Sequence, residues 1–374
     1  IRIYLSNDQE QLASKCAENI SVFKSVFRPV NFVTQTPGMN RWLSISIAEK
    51  NGVFGNFNFQ TPNGLVNQLF YLAKLRNSDI FDTEKTRWLV YDVLETKTFK
   101  AEFPAIANYY NEDPIKQIQL ATRVADLFDQ YFVYRPDMVQ CWTDENEYKF
   151  KNKSYQNHSL WQSYIWRQLR GKIVSSSQDK VSLKTALVTE LQNPDFIALL
   201  QNEITGVTLF GLSLLTEYHI EIIHHLSQCI QVDLYFLNPA PFEFWYDNKD
   251  QNLIAYIERK TGQSKENLYL QEGNTLLASM GKAGQNSFAV FFNDSDFINS
   301  IVDDVTVEPA GNQLLDLIQS DIFYNKSDKD RAHIPREVIA DGSIQITSSF
   351  TIAREVESLY NYLLHQFETN TDLK

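Results

Sequence analysis

The sequence predicts an α/β protein with a parallel sheet, interrupted by a large all-helical insert. Three observations carry that reading. The chain opens as strand, helix, strand, turn and helix, the alternation of α/β domains. From about residue 65 to 201 every periodic segment is helical. Strand, helix and strand then resume over residues 207–237.

Residues 2–5 read as a short strand, and 8–27 as an amphipathic helix with Leu12, Cys16, Ile20 and Phe23 at helical spacing. A second strand at 31–34 leads through a turn into a helix at 40–50. Gly52, Gly55 and Pro62 punctuate a loop that holds a short strand at 56–59. Helices are expected at 65–75, 83–94, 103–110, 115–132, 159–173 and 183–191, with a polar loop at 144–157. The α/β pattern returns with a buried strand at 207–212, a helix at 216–229 and a strand at 231–237 closed by Asn238-Pro239. Residues 262–273 and 325–342 read as loops, 344–347 as a strand and 353–367 as a helix. That last strand–helix unit has no partner before the chain stops, and the chain begins at Ile1. The expected division is therefore an α/β domain at 1–64 and 203–342, a helical insert at 65–202, and the start of a second α/β domain at 343–374, in a fragment of a longer protein.

Hydrophobic content of 43% and charged content of 21% describe a globular chain with a substantial core. No apolar run approaches the ~20 residues that span a bilayer. Cys16, Cys141 and Cys229 are far apart, odd in number and lack CxxC spacing. They fit a reducing cytoplasm and argue against a disulfide scaffold or structural zinc. A net charge of −12 argues against coating nucleic acid by phosphate contacts alone. It leaves room for a local basic groove or for basic partners. Among 6 Trp, 18 Tyr and 25 Phe, most belong to the core, and some suit stacking on unpaired bases.

The most informative stretch is 115–137. Ile118, Ala121, Ala125, Phe128 and Phe132 form an apolar stripe that packs inward. Gln119, Arg123, Asp126 and Gln130 form a second stripe on the other face, with Asp129 beside it, and Pro136 ends the run. An Asp, Gln and Arg face without lysine carries side chains of fixed hydrogen-bonding capacity, of the kind that reads base edges. An ordinary surface helix packed on a neighbour is the simpler reading of the same composition.

Several catalytic patterns are approached and then broken. The first strand–loop–helix sits where a P-loop would carry G-x-x-x-x-G-K-[ST], but the loop reads Gln35-Thr36-Pro37-Gly38-Met39-Asn40-Arg41. It has one glycine, no Lys-Ser/Thr pair, and a proline that removes a backbone donor. Gly281-Lys282-Ala283-Gly284 lacks the hydroxyl residue and the earlier glycine. Asp137, Glu147 and Lys149 spell a PD…ExK nuclease pattern, yet the acids between them lie in a polar stretch without strand character. His219, His224 and His225 share one helix without the i, i+4 spacing of a metal site. No catalytic residue, cofactor or metal is expected.

The run A-D-L-F-D-Q-Y-F-V-Y-R-P-D at 125–137 closely resembles the RecC family, the gamma subunits of bacterial exodeoxyribonuclease V (RecBCD). Blocks at 3–7 (I-Y-L-S-N), 38–43 (G-M-N-R-W-L), 210–214 (F-G-L-S-L), 276–284 (L-L-A-S-M-G-K-A-G), 318–322 (I-Q-S-D-I) and 354–357 (R-E-V-E) follow in family order, as do Asn238-Pro239 and Phe244-Trp245. The resemblance implies a helicase-like (RecA-like) fold with a degenerate P-loop. It also implies a non-catalytic subunit that threads the unwound 3′-ended strand and scans it for a Chi hotspot beside RecB-like and RecD-like subunits. The matching scanner positions are Gln35, Asp126, Leu127, Asp129, Gln130 and Arg135, and Arg41, Thr61, Asn67 and Lys180 fall at further DNA-recognition positions. Pro37, Arg41, Thr61, Asn67 and Lys180 stand where well-known members have Thr, Gln, Leu, Trp and Arg; Met280 and Phe350 replace a tryptophan and a histidine. A nuclease or ATPase in its own right, or a protein–protein scaffold, are the alternatives.

Overall fold

The computed structural model describes residues 1–20, 27–75, 83–111, 113–172, 180–213, 215–241, 245–249, 251–292, 295–330, 333–371 and 373. Chain contacts divide it into two compact units, 1–238 with 282–306, and 239–281 with 307–374.

The first unit is built on a parallel sheet. Strand β1 (Arg2–Ser6) leads to helix α1 (Gln9–Ile20), β2 (Val30–Val33), α2 (Pro37–Asn51) and β3 (Phe57–Gln60). Nine helices follow among the described residues: α3 (Pro62–Leu72), α4 (Thr83–Glu95), α5 (Lys97–Glu102), α6 (Pro104–Tyr110), α7 (Pro114–Tyr134), α8 (Pro136–Thr143), α9 (Lys153–Lys172), α10 (Lys180–Glu190) and α11 (Pro194–Glu203). Then come β4 (Gly206–Phe210), α12 (Glu217–Cys229) and β5 (Gln231–Leu237). The second unit begins with α13 (Gln251–Thr261) and α14 (Thr275–Met280). The chain returns to the first unit for α15 (Lys282–Phe292), α16 (Ser295–Ile298) and β6 (Ile301–Asp304). It ends in the second with α17 (Leu314–Phe323), α18 (Arg336–Ile339) and α19 (Ile352–Thr369).

The strand order is β3-β2-β4-β5-β1-β6, and every neighbouring pair is parallel. Parallel neighbours need crossovers, which the intervening helices provide. The central strands are covered on both faces, so β4 is buried throughout and β5 is buried at all but its two ends. Tyr4, Leu12, Cys16, Phe32, Leu43, Ile47, Phe210 and Tyr235 form the core on one face. At the amino ends of the strands, Arg2 Nε and Nη2 donate to the buried Asp233 carboxylate at 2.7 and 2.6 Å. That pair ties β1 to β5.

The helical array has its own core. Val90, Val93 and Leu94 of α4 meet Ala121, Val124, Phe128 and Phe132 of α7, and Ile165, Trp166 and Leu169 of α9. Its three buried indoles are satisfied: Trp142 Nε1 donates to Ser159 Oγ at 3.2 Å, Trp166 Nε1 to Thr143 Oγ1 at 3.1 Å and Trp161 Nε1 to His158 Nδ1 at 3.3 Å. Tyr110 is buried and donates to Leu94 O at 2.8 Å; burial pushes its phenol up to about 12.

Several expectations are corrected. Helix α2 begins at Pro37 rather than 40, because Thr36 accepts from Met39 N and proline suits the first helical position. The region 144–157 is loop only in part, because the Asn152 side chain accepts from Ser154 N and α9 starts at Lys153. Residues 344–347 form no strand; Ile346 is 92% exposed and no neighbouring strand pairs with it. Helices α5, α8, α11 and α13 to α18 and strand β6 were not foreseen, and α18 lies within the stretch 325–342 expected to be loop. The end of the helix expected at 8–27 lies outside the described residues.

Candidate functional site

Open parallel sheets present ligands at the carboxyl ends of their strands. Beyond β2, β3 and β4 that edge is lined by neutral polar side chains. Only Thr34, Gln35 and Thr36 separate β2 from α2. The Thr34 hydroxyl bonds the Asn40 side chain, and Gln35 Oε1 accepts from Ser213 Oγ, beyond the end of β4, at 2.9 Å. Gly211 is left-handed, at φ 62°, and a Cβ there would sit 3.1 Å from Met39 Cε. After β3, Thr61 caps α3 by accepting from Gly64 N at 3.1 Å, with Pro62 at the first helical position. Asn67 is exposed one turn further on, and Gln60 Nε2 donates to Gln68 Oε1 at 3.0 Å. Arg41 is exposed on α2. Lys180 opens α10, and its side chain lies outside the described residues.

Helix α7 carries the other group. Asp113 caps it, accepting from Ile115 N at 2.9 Å and Lys116 N at 3.3 Å, and Pro114 occupies the first position. Ala121, Val124, Ala125, Phe128 and Phe132 are buried. Arg123 and Gln130 are exposed, and Asp126, Leu127 and Asp129 are half-buried. Tyr134 extends the polar stripe by one more i, i+4 step, and its ring is 55% exposed. The helix stops at Arg135, whose φ of −140° and ψ of 51° are non-helical, because Pro136 disfavours helical geometry in the residue before it. Pro136 then starts α8.

Helix α12 links the two groups, since it packs on both α3 and α7. His219 is buried, with Nδ1 2.7 Å from Thr216 Oγ1 and Nε2 3.0 Å from Asn63 Oδ1 of α3. Its neighbour Tyr218 is buried too; burial, and then the Asp129 carboxylate of α7, hold its phenol above the ordinary range. Asn63, Tyr218 and His219 thus join the strand ends to the α7 face. The sequence singles out His219 only as a weak metal candidate, and its role depends on contacts that spacing does not encode.

The residues of the nuclease pattern are placed differently. Asp137 lies in the first turn of α8, where its Oδ2 accepts from Tyr148 Oη at 2.6 Å. Glu147 accepts from Gln156 Nε2 at 2.5 Å, and Lys149 is exposed in a segment without strands. Among the described residues no group of three or more His, Cys, Asp or Glu could hold a metal ion. No helix among them is long and apolar enough to cross a membrane.

A six-stranded parallel α/β sheet split by a helical array, with an amide-lined carboxyl edge, defines the class of architecture. Within that class, the family described as "RecC, N-terminal domain" matches residues 1–325, and the chain belongs to it. It is 26% identical to the RecBCD enzyme subunit RecC of Haemophilus influenzae, over 99% of this chain and 37% of that protein. It is also 26% identical to the subunits so named from Escherichia coli, over 93% of this chain and 33% of that one, and from Buchnera aphidicola, over 100% and 33%. The chain spans about a third of the length of these curated relatives.

Proposed function

We propose that this chain is the DNA-reading part of a non-catalytic subunit in a bacterial helicase–nuclease that repairs double-strand breaks by recombination. It handles the unwound 3′-ended strand and recognises a Chi-like hotspot, in the cytoplasm, beside RecB-like and RecD-like subunits. The observation that carries this reading is the α7 face. Asp126, Asp129 and Gln130 stand on one polar surface, supported from beneath by a packed aromatic core. Asp accepts from base amino groups, and Gln pairs with adenine through two hydrogen bonds. In a single strand those edges are open to side chains. Gln35, Arg41, Thr61, Asn67, Leu127 and Lys180 are the accompanying contacts in this reading.

The same reading assigns no ATP hydrolysis and no DNA cleavage to the chain. The three-residue connection into α2 uses the Thr36 side chain to take the Met39 N–H, a donor that an anion would otherwise engage. Residues 1–64 and 203–342 would constitute a helicase-like domain with a degenerate P-loop, and 65–202 its insert. Residues 343–374 would begin a second α/β domain. Ile352, Val356, Leu359, Leu363 and Phe367 of α19 are all exposed, as a face awaiting such a domain would be.

The test is hotspot-dependent switching by the assembled complex on DNA with and without candidate sites. Asp126→Ala and Gln130→Ala are each expected to weaken switching by about 1–3 kcal/mol of discrimination at one base, without slowing unwinding. ATP turnover by the purified chain that Arg41→Ala removes, or metal-dependent cleavage that Asp137→Ala removes, would favour an enzyme instead.

A further inference from the structure

The segment that imitates a nuclease motif encloses Arg135. Its Nη2 donates to Tyr148 Oη at 2.9 Å, and that hydroxyl donates on to Asp137 Oδ2 at 2.6 Å. Its Nε lies 3.5 Å from Asp137 Oδ1. The guanidinium carbon sits 5.2 Å from the Tyr148 ring centre and 5.6 Å from that of Phe150. The two rings pack edge to face at 5.1 Å. Phe150 is anchored in turn, because its backbone N–H donates to Gln156 Oε1 of α9 at 2.8 Å.

An exposed ion pair alone would hold an arginine weakly. Here the plane is also fixed by two rings and by a hydroxyl bridge. Those contacts engage Nε and one N–H of Nη2 and leave Nη1 and the second N–H of Nη2, the end of the fork that makes paired hydrogen bonds. The Arg135 side chain as a whole is 39% exposed.

The charge balance narrows the ligand. Asp137 offsets the arginine within a few ångströms and repels a phosphate that approaches the same place. A neutral base edge with two adjacent acceptors suffers no such repulsion, and guanine presents O6 and N7 in that arrangement. Resting on the reading above, we propose that Asp137, Tyr148 and Phe150 are positioning residues that hold Arg135 as a reader of guanine in a single strand, rather than as a phosphate contact.

The experiment uses the full-length protein in its native assembly and a randomised single-stranded DNA pool. Bound molecules are sequenced for base preference, and affinity is followed against salt. Arg135→Ala is expected to remove a guanine preference of about 5- to 150-fold at one position. The slope of log affinity against log salt should not change. Arg135→Lys keeps the charge and loses the planar fork, and should remove the preference as fully. Tyr148→Phe keeps the ring and loses the bridge, and should weaken the preference without altering the slope. Asp137→Asn frees the charge, and should steepen the slope by about 0.7 while blurring the preference. Thermal midpoints check that each variant folds.

A slope shallower by about 0.7 in Arg135→Ala, with base preferences intact, would make Arg135 a phosphate contact and overturn the proposal. A preference preserved in Arg135→Lys would overturn it too, because charge rather than the fork would then be read. If Gln130→Ala loses a position while both Arg135 variants lose none, only this inference fails. A wild-type protein with no preference anywhere removes the recognition reading as well.

Discussion

The carboxyl edge of the sheet and the outer face of α7 use different chemistry. Beyond β2, β3 and β4 the polar groups are neutral and bonded to one another: Gln35 to Ser213, Thr34 to Asn40, Gln60 to Gln68, and Thr61 to its own helix. On α7 the polar groups include carboxylates, Gln130 is exposed, and the support comes from beneath, where Phe128 and Phe132 pack edge to face on Trp166. An edge whose groups already satisfy one another suits guiding a strand. A face that sets an exposed Gln130 beside half-buried carboxylates on a rigid base suits telling one base from another, because an unmatched buried donor or acceptor is penalised more than a matched one is rewarded.

Breaking the support beneath α7 should give the largest effect. Trp166→Ala removes a buried ring that contacts both phenylalanines and leaves Thr143 without its donor. Unfolding in denaturant should show a loss of about 3–5 kcal/mol. A loss below about 1 kcal/mol would mean that α7 is not held this way.

Tyr134→Ala comes next. Its ring continues the Asp126–Gln130 stripe, and a stacked base there contributes about 1–3 kcal/mol irrespective of sequence. Titration with homopolymeric single strands should show equal weakening for each base. Weakening for one base alone would make Tyr134 a reader instead of a platform.

At the sheet edge, Gln35→Ala should change base discrimination by about 0.5–1.5 kcal/mol at most, the scale of one neutral hydrogen bond. Its carbonyl oxygen is already engaged by Ser213. A larger loss than that from Gln130→Ala in the same assay would reverse the contrast between the two regions.

The smallest effect concerns pH. Burial opposes it, but the Tyr148 hydroxyl, the Met138 N–H and Arg135 together hold the Asp137 carboxyl below its usual range. A depressed carboxylate contributes above its unfolded pKa and is lost as pH falls through its folded value, below about 4. Donation to Asp137, and then burial, raise the Tyr148 phenol, so its bridge is lost only above about pH 10. Base preference at the Arg135 position should therefore be flat between about pH 5 and 9, as measured by binding across that range. A midpoint near 6.5 would implicate a histidine.

Much of the fold was legible because its signals are local. Helix α7 announces itself through the apolar spacing and Pro136, and the alternation at 207–237 is written in continuous apolar runs. What failed depended on distance in the fold. Ile344, Ile346 and Thr347 have strand propensity and find no neighbouring strand. Ile301–Asp304 has two acids and pairs with β1, almost three hundred residues away along the chain. The Arg135 clamp was read in part as a nuclease pattern, because Asp137, Tyr148 and Phe150 meet only once the loop folds back onto α8. A Tyr-x-Phe alternation within an otherwise polar segment was the available signal.

The central claim is that the α7 face discriminates between bases and does not drive the strand. The most direct measurement compares the assembled complex carrying Asp126→Ala or Gln130→Ala with wild type, reading unwinding speed and hotspot-dependent switching in the same reaction. The account predicts a loss of about 1–3 kcal/mol of discrimination at one base for each variant, with unwinding speed unchanged. Slower unwinding on every sequence, with discrimination intact, would contradict it.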